Sequence, residues 1–179
     1  MINLDNAALL IIDVQAKLVP LIREHLKLVK KINLLLNIFS KLELPILLSE
    51  QYPIGLGKTV SEINANSAKI LKNEKTTFSC WKNLDFKKNL SKISKKQIIL
   101  CGIETHICVL QTCLDLINNS FEVFVAEDAV NSRNEKSHLL GIERMRSSGI
   151  NIVSVEMVLF ELLGNSKHKD FKELSKLIR

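Results

Sequence analysis

The stretch that most constrains this chain is Gln97 to Asp115, QIILCGIETHICVLQTCLD, where an unbroken apolar run changes abruptly into a helical repeat. Ile98, Ile99, Leu100 and Cys101 are short and β-branched enough for a strand buried on both faces. Gly102 ends the run. From about Thr105, residues Val109, Leu110, Cys113, Leu114 and Ile117 recur at helical spacing. A strand with no polar face must be covered on both sides, so this unit requires layers of helix above and below a sheet.

The rest of the chain repeats the pattern. Ala7 to Ile12 is a second apolar run, stopped by Asp13, and Leu44-Pro45-Ile46-Leu47-Leu48 is a third, with Pro45 tolerable at its start. Phe121 to Ala126 and Ile150 to Val155 read as further strands, and Glu74 to Phe78 as a short one ending near Trp81. Helical spacing is predicted over Lys17 to Phe39, with a break at Pro20, and over Leu84 to Ile93, Val155 to Leu163 and Asp170 to Ile178. Asn134 to Ser147 is another predicted helix, closed by Gly149, and Ser61 to Leu71 a short one. Pro53, Gly55 and Gly57 make Glu50 to Lys58 a loop. Strands alternating with helices predict a three-layer α/β/α fold with a central parallel six-stranded sheet, and 179 residues predict a single domain over 1–179.

Composition narrows the function classes. No apolar run approaches the roughly 18 residues that a membrane helix needs. Asp5 stands where a secretory signal would carry basic residues, so the start does not read as one. Four cysteines without CxxC spacing read as reduced thiols and point to a cytoplasmic protein. The net charge of +6 is spread over Lys27–Lys41, Lys82–Lys96 and Lys167–Lys176, on predicted helix faces. A nucleic-acid binder concentrates such charge, so no nucleic-acid partner is expected.

In open parallel sheets ligands bind beyond the carboxyl ends of the strands. That rule collects Asp13, Gln51, Tyr52, Lys75, the segment Gly102 to Cys108, and Glu127-Asp128 at one edge. An acid, a lysine and a cysteine together suit nucleophilic chemistry: the carboxylate can take the thiol proton while the ammonium holds the acid ionised. A helix N-terminus and a lysine also predict a depressed pKa for Cys108. Each residue has a plainer reading. A lone cysteine on an apolar helix is usually packing, Asp13 could cap a turn, and Lys75 could be one more solvated lysine.

Five segments carry a resemblance: ALLIIDVQ at Ala8–Gln15, EKTTFSCW at Glu74–Trp81, LCGIETHICVLQTCLDL at Leu100–Leu116, AEDAVNSRNEKSH at Ala126–His138 and SVEMVLFELL at Ser154–Leu163. In order and over nearly the whole chain, they resemble the isochorismatase-like cysteine hydrolases, and so imply a Rossmann-like isochorismatase fold. SEQYPIGLGKT at Ser49–Thr59 and EMVLFELL at Glu156–Leu163 are most similar to the isochorismatase-domain-containing branch. The resemblance implies an Asp13–Lys75–Cys108 catalytic triad. It also implies a cis peptide at Ile103–Glu104 that turns backbone N–H groups towards Cys108. Nicotinamidases of the family hold zinc through histidines near the second strand. Here that region reads Ser49-Glu50-Gln51-Tyr52, so neither metal nor other cofactor is expected. Cys108 argues against the vinyl-ether cleavage of true isochorismatases, which lack it.

Gln15, Gln51, Tyr52, Phe78, Trp81 and His106 are the candidate substrate-binding residues, although aromatics are more often core and His106 and Cys108 face different ways on a helix. The expectation is a cysteine hydrolase attacking an amide-like C–N bond of a small molecule through a thioester, in a homo-oligomer, dimer or tetramer. The alternative is a weakly active or inactive interaction module retaining the fold, with SVEMVLFELLG as a subunit interface.

Overall fold

The computed structural model describes residues 1–63 and 69–178. Six strands form one all-parallel sheet: β1 (Ala7–Ile12), β2 (Ile46–Gln51), β3 (Ile70–Lys75), β4 (Gln97–Ile103), β5 (Glu122–Asn131) and β6 (Asn151–Val153). Their order is β3-β2-β1-β4-β5-β6. β1 and β4, the central pair, are buried at every position, as strands covered on both faces must be.

The helices are α1 (His25–Lys41), α2 (Pro53–Leu56), α3 (Leu84–Ile93), α4 (Leu110–Ile117), α5 (Glu135–Ser147), α6 (Val155–Leu163) and α7 (Phe171–Leu174). The two-residue period of a strand sorts its side chains between two cores. Leu9 and Ile11 meet Leu35 and Phe39 of α1 and Val158 and Leu162 of α6 on one face. Leu10 and Ile12 meet Phe86 of α3, Leu116 of α4 and Met145 of α5 on the other. Each such fully buried side chain contributes roughly 1.5–3 kcal/mol. Three helices start where a side chain takes an otherwise unpaired N–H: Asn83 caps Phe86, Asn134 caps Ser137 and Ser154 caps Met157.

After β3 the chain crosses from one edge of the sheet to the middle, adding β4 on the far side of β1. A crevice opens at such a switch point, beyond the carboxyl ends of β1 and β4. The two strands run unusually close there. Gly102 has φ +115°, and a Cβ on it would stand 2.1 Å from the carbonyl oxygen of Ile12, so only glycine fits.

The structure shifts several expected boundaries. β3 starts and ends earlier than the Glu74–Phe78 strand, because its six residues pair one for one with β2 and leave Phe78 outside. Of the short helix expected over Ser61 to Leu71, residues 64–68 lie outside the described ones, 61–63 form a turn, and Ile70 and Leu71 belong to β3. The helix expected from Lys17 resolves into a 3-10 turn at Val19–Leu21 and then α1. β5 runs on to Asn131, so Glu127 and Asp128 lie within it, and its register with β4 slips between Leu100 and Gly102. The C-terminal helix expected to Ile178 stops at Leu174 and tightens to a 3-10 turn. Among the described residues no helix is long and apolar enough to cross a membrane.

Candidate active site

Asp13 leaves β1 in the left-handed region, φ 53°, which asparagine and aspartate tolerate better than most residues. Its Oδ1 accepts a hydrogen bond from Ser49 Oγ at 2.7 Å, and its Oδ2 accepts one from Lys75 Nζ at 2.7 Å. Strand register explains the convergence. Ile12 pairs with Ser49 and Gln51 with Lys75, so the middle strand β2 offers two side chains of one face, two residues apart, between β1 and β3. Lys75 Nζ also donates to Gln51 Oε1 at 2.7 Å. Both side chains of the Asp13–Lys75 ion pair are only 1% exposed.

Cys108 enters from the other side of the switch point. It lies in a π-helical turn, Thr105–Val109, ahead of α4, where the N–H groups of Ile107 and Val109 both donate to the Glu104 carbonyl, at 3.0 and 3.3 Å. The Ile103–Glu104 peptide bond that leads into the turn is cis. The Cys108 thiol is buried, close enough to Asp13 and Lys75 for both charges to act on it. Three strand ends thus deliver a carboxylate, an ammonium and a thiol to one spot.

The electrostatics correct one expectation. Cys108 was expected to have a depressed pKa; instead burial, and after it the Asp13 carboxylate, push the thiol well above its ordinary range, with Lys75 pulling only partly against them. Burial also raises Asp13 above the usual carboxylate range, against the opposing pull of Lys75. For Lys75 burial is the largest influence and acts downward, but Asp13 together with the neighbouring Cys80 and Cys108 outweighs it and the net direction is up. The resting site therefore holds an ammonium–carboxylate pair beside a protonated thiol.

The other candidates are placed unevenly. Gln51 and Tyr52 stand at the end of β2. Tyr52 is half exposed, in the left-handed region that opens α2, and its N–H donates to the Lys75 carbonyl at 2.8 Å. Gln15, expected to bind substrate, has its side-chain bonds directed at main chain. It is fully buried, its Oε1 accepts from the Gln51 N–H, and its Nε2 donates to the carbonyls of Gln51 and Gly57. Phe78 is 55% exposed, whereas Trp81 packs edge-on against Phe121 with Lys87 over its ring. His106 shares a hydrogen bond with Ser132 at 2.9 Å through Nδ1. Glu104 accepts from the Arg133 N–H at 3.0 Å, which ties the turn to the end of β5.

Two neighbours went unnoticed in the sequence. Ser49 closes the apolar run of β2 with a polar residue, and only its register beside Ile12 shows what it serves. Cys80 is fully buried near Asp13 and Lys75, its N–H donating to Thr112 Oγ1 at 3.0 Å; burial pushes its thiol up to about 11. Among the described residues no three His, Cys, Asp or Glu side chains gather as a metal ion would require. A surface groove of about 370 Å³ lined by residues that include Arg23, Lys31, Asp128 and His138 contains none of the residues around Cys108, and its charges pair among themselves, Lys31 with Asp128 at 2.9 Å.

Known proteins share this arrangement of strands. Among solved structures, the MAR1 ribonuclease from Caenorhabditis elegans superposes with a TM-score of 0.93 at 34% identity, covering 99% of this chain and 91% of that one. The YcaC gene product of Escherichia coli, described as an octameric hydrolase of unknown specificity, does so with a TM-score of 0.90 at 29% identity, over 99% and 88%. In sequence, the isochorismatase domain-containing protein 2 of Xenopus laevis is 38% identical over 174 residues, 97% of this chain and 83% of its own length. Residues 7–157, which include Asp13, Lys75 and Cys108, match the isochorismatase domain. This chain therefore belongs to the isochorismatase family.

Proposed function

We propose that the protein is a cysteine hydrolase that cleaves an amide-like C–N bond of a small molecule through a Cys108 thioester. The observation that carries the reading is the buried Asp13 carboxylate, bonded to the Lys75 ammonium at 2.7 Å with the Cys108 thiol beside the pair. Because the thiol rests protonated, Asp13 accepts its proton as the sulfur–carbon bond forms, not before. The N–H of Cys108 faces the developing oxyanion in this scheme. As the tetrahedral adduct collapses, the C–N bond breaks and Asp13 returns the proton to the leaving nitrogen. Water then attacks the thioester with Asp13 again as base, releasing the acid and restoring the thiol. Lys75 stays charged throughout and keeps Asp13 able to ionise. Tyr52 and Phe78, both exposed, are assigned to the entrance, and Trp81 and His106 to its walls.

The octameric relative supports a homo-oligomer, and four unpaired buried cysteines support a cytoplasmic location for this single domain. A nucleic-acid substrate, raised by the name of the nematode structure, is disfavoured because the ammonium at the site is already committed to Asp13 and Gln51. An inactive interaction module is disfavoured too. A scaffold has no need of a buried ion pair beside a thiol, whose burial is generally unfavourable.

The test is a hydrolysis screen of amides, ureides, carbamoyl compounds and a short RNA, run on the wild type and Cys108→Ala. Turnover of a C–N compound should fall by about 10⁴-fold or more in the variant. Retained turnover in Cys108→Ala, or cleavage of the RNA with every C–N compound intact, would overturn the reading.

A further inference from the structure

The reaction scheme leaves the second partner of Lys75 without a role. Gln51 offers Lys75 its Oε1 at 2.7 Å, the same distance as Asp13 Oδ2. The carboxamide cannot turn over, because its Nε2 donates to the Thr76 carbonyl at 2.8 Å. A flipped amide would point N–H groups at an ammonium and oxygen at a carbonyl, losing both bonds. The main chain of Gln51 is held as firmly. Its N–H donates to Gln15 Oε1 at 2.7 Å and its carbonyl accepts from Gln15 Nε2 at 3.0 Å, so the Gln15 side chain extends the ladder from β1 onto the end of β2. Gln15 Nε2 also reaches the Gly57 carbonyl at 2.6 Å and pins the following loop. The ends of β1, β2 and β3 are thereby closed into one ring of hydrogen bonds around the ammonium.

We propose that Gln51 is a positioning residue that holds the Lys75 ammonium against Asp13 with a neutral oxygen, and that Gln15 sets the strand end that carries it. This assignment rests on the reading of Asp13 as the base. A neutral acceptor matters because a buried ammonium needs more than one partner, yet a second carboxylate would divide its charge. With Gln51 in place Asp13 is, among the described residues, the one carboxylate bonded to Lys75. The titratable groups facing Asp13 are Lys75 from β3, Cys108 from the turn after β4 and, at longer range, Cys80 ahead of α3. Glu50 on β2 turns away and accepts two bonds from Thr59.

The test uses Gln51→Met, which keeps the length and removes the acceptor, and Gln51→Glu, which keeps an acceptor and adds a competing anion. Asp13 is followed by carboxyl ¹³C NMR against pH, with Asp13→Asn identifying its signal, and kcat and KM are measured on a compound from the screen. Both variants should raise the Asp13 midpoint by at least about half a unit. Gln51→Met should lower kcat about tenfold with KM within about twofold. An unchanged Asp13 midpoint in both variants would overturn the proposal. So would a raised KM with kcat intact, which would make Gln51 a substrate contact. If the hydrolase reading itself were wrong, Cys108→Ala would keep its turnover or no C–N compound would be cleaved, and the titration would still report on Gln51.

Discussion

Asp13→Asn should lose turnover by about 10⁴-fold and yet make Cys108 easier to alkylate. The two effects have one origin. In the proposed mechanism the carboxylate is the base that receives the thiol proton, and it is also the anion that, after burial, holds that proton on sulfur. Asparagine keeps the shape and removes the charge, leaving the Lys75 ammonium to favour the thiolate. Alkylation by iodoacetamide near neutral pH should then accelerate about tenfold, which corresponds to one unit of thiol pKa. Lys75→Ala should shift it the other way. In the wild type, turnover should fall on acidification through a midpoint above the usual carboxylate range, because Asp13 must be ionised to act and burial raises its pKa. An Asp13→Asn protein that alkylates no faster than wild type would show that the carboxylate does not act on the thiol.

Lys75→Met should cost about 3–5 kcal/mol of stability near neutral pH, since it strands a buried carboxylate without its counter-charge. The pH dependence runs against the usual one for an acid in an ion pair. A group whose folded pKa is raised contributes stability that is present below its unfolded pKa and lost as pH rises through the folded value. Asp13 is already such a group, and removing the ammonium raises it further. Lys75 is raised as well, so its own contribution persists below its unfolded value and disappears only in strong alkali. The deficit of the variant should therefore be largest near neutral pH and shrink at mildly acidic pH, where Asp13 takes up a proton. Guanidinium unfolding of both proteins at the two conditions reads this directly, and a deficit that stays constant would contradict it.

What was legible in the sequence follows a physical division. Apolar runs such as Ala7–Ile12 and Ile98–Cys101 announce central strands because burial on both faces excludes polar residues. Asp13 and the Cys108 segment could be placed at one edge for the same reason: each follows such a run. β3 was located three to four residues late because it is an edge strand, where Lys72 and Glu74 alternate with buried Asn73 and Lys75 and no apolar run exists. Ser49 and Cys80 were hidden, and the bonding of Gln15 with them, because these depend on register and on contacts between segments distant in the chain. The direction of the Cys108 pKa was missed for a related reason. The helix start and the lysine are visible in sequence, whereas the depth of burial that outweighs them is a property of the packed structure.

The central claim is that Cys108 forms a covalent acyl intermediate with Asp13 as its proton carrier. Its most direct test is intact-protein and peptide mass spectrometry after acid quench of a turnover mixture containing the best C–N compound from the screen. The wild type should carry the acyl half of that compound on the peptide containing Cys108, and Cys108→Ala should carry none. Hydrolysis that proceeds with no adduct on Cys108 and survives the alanine substitution would contradict the claim.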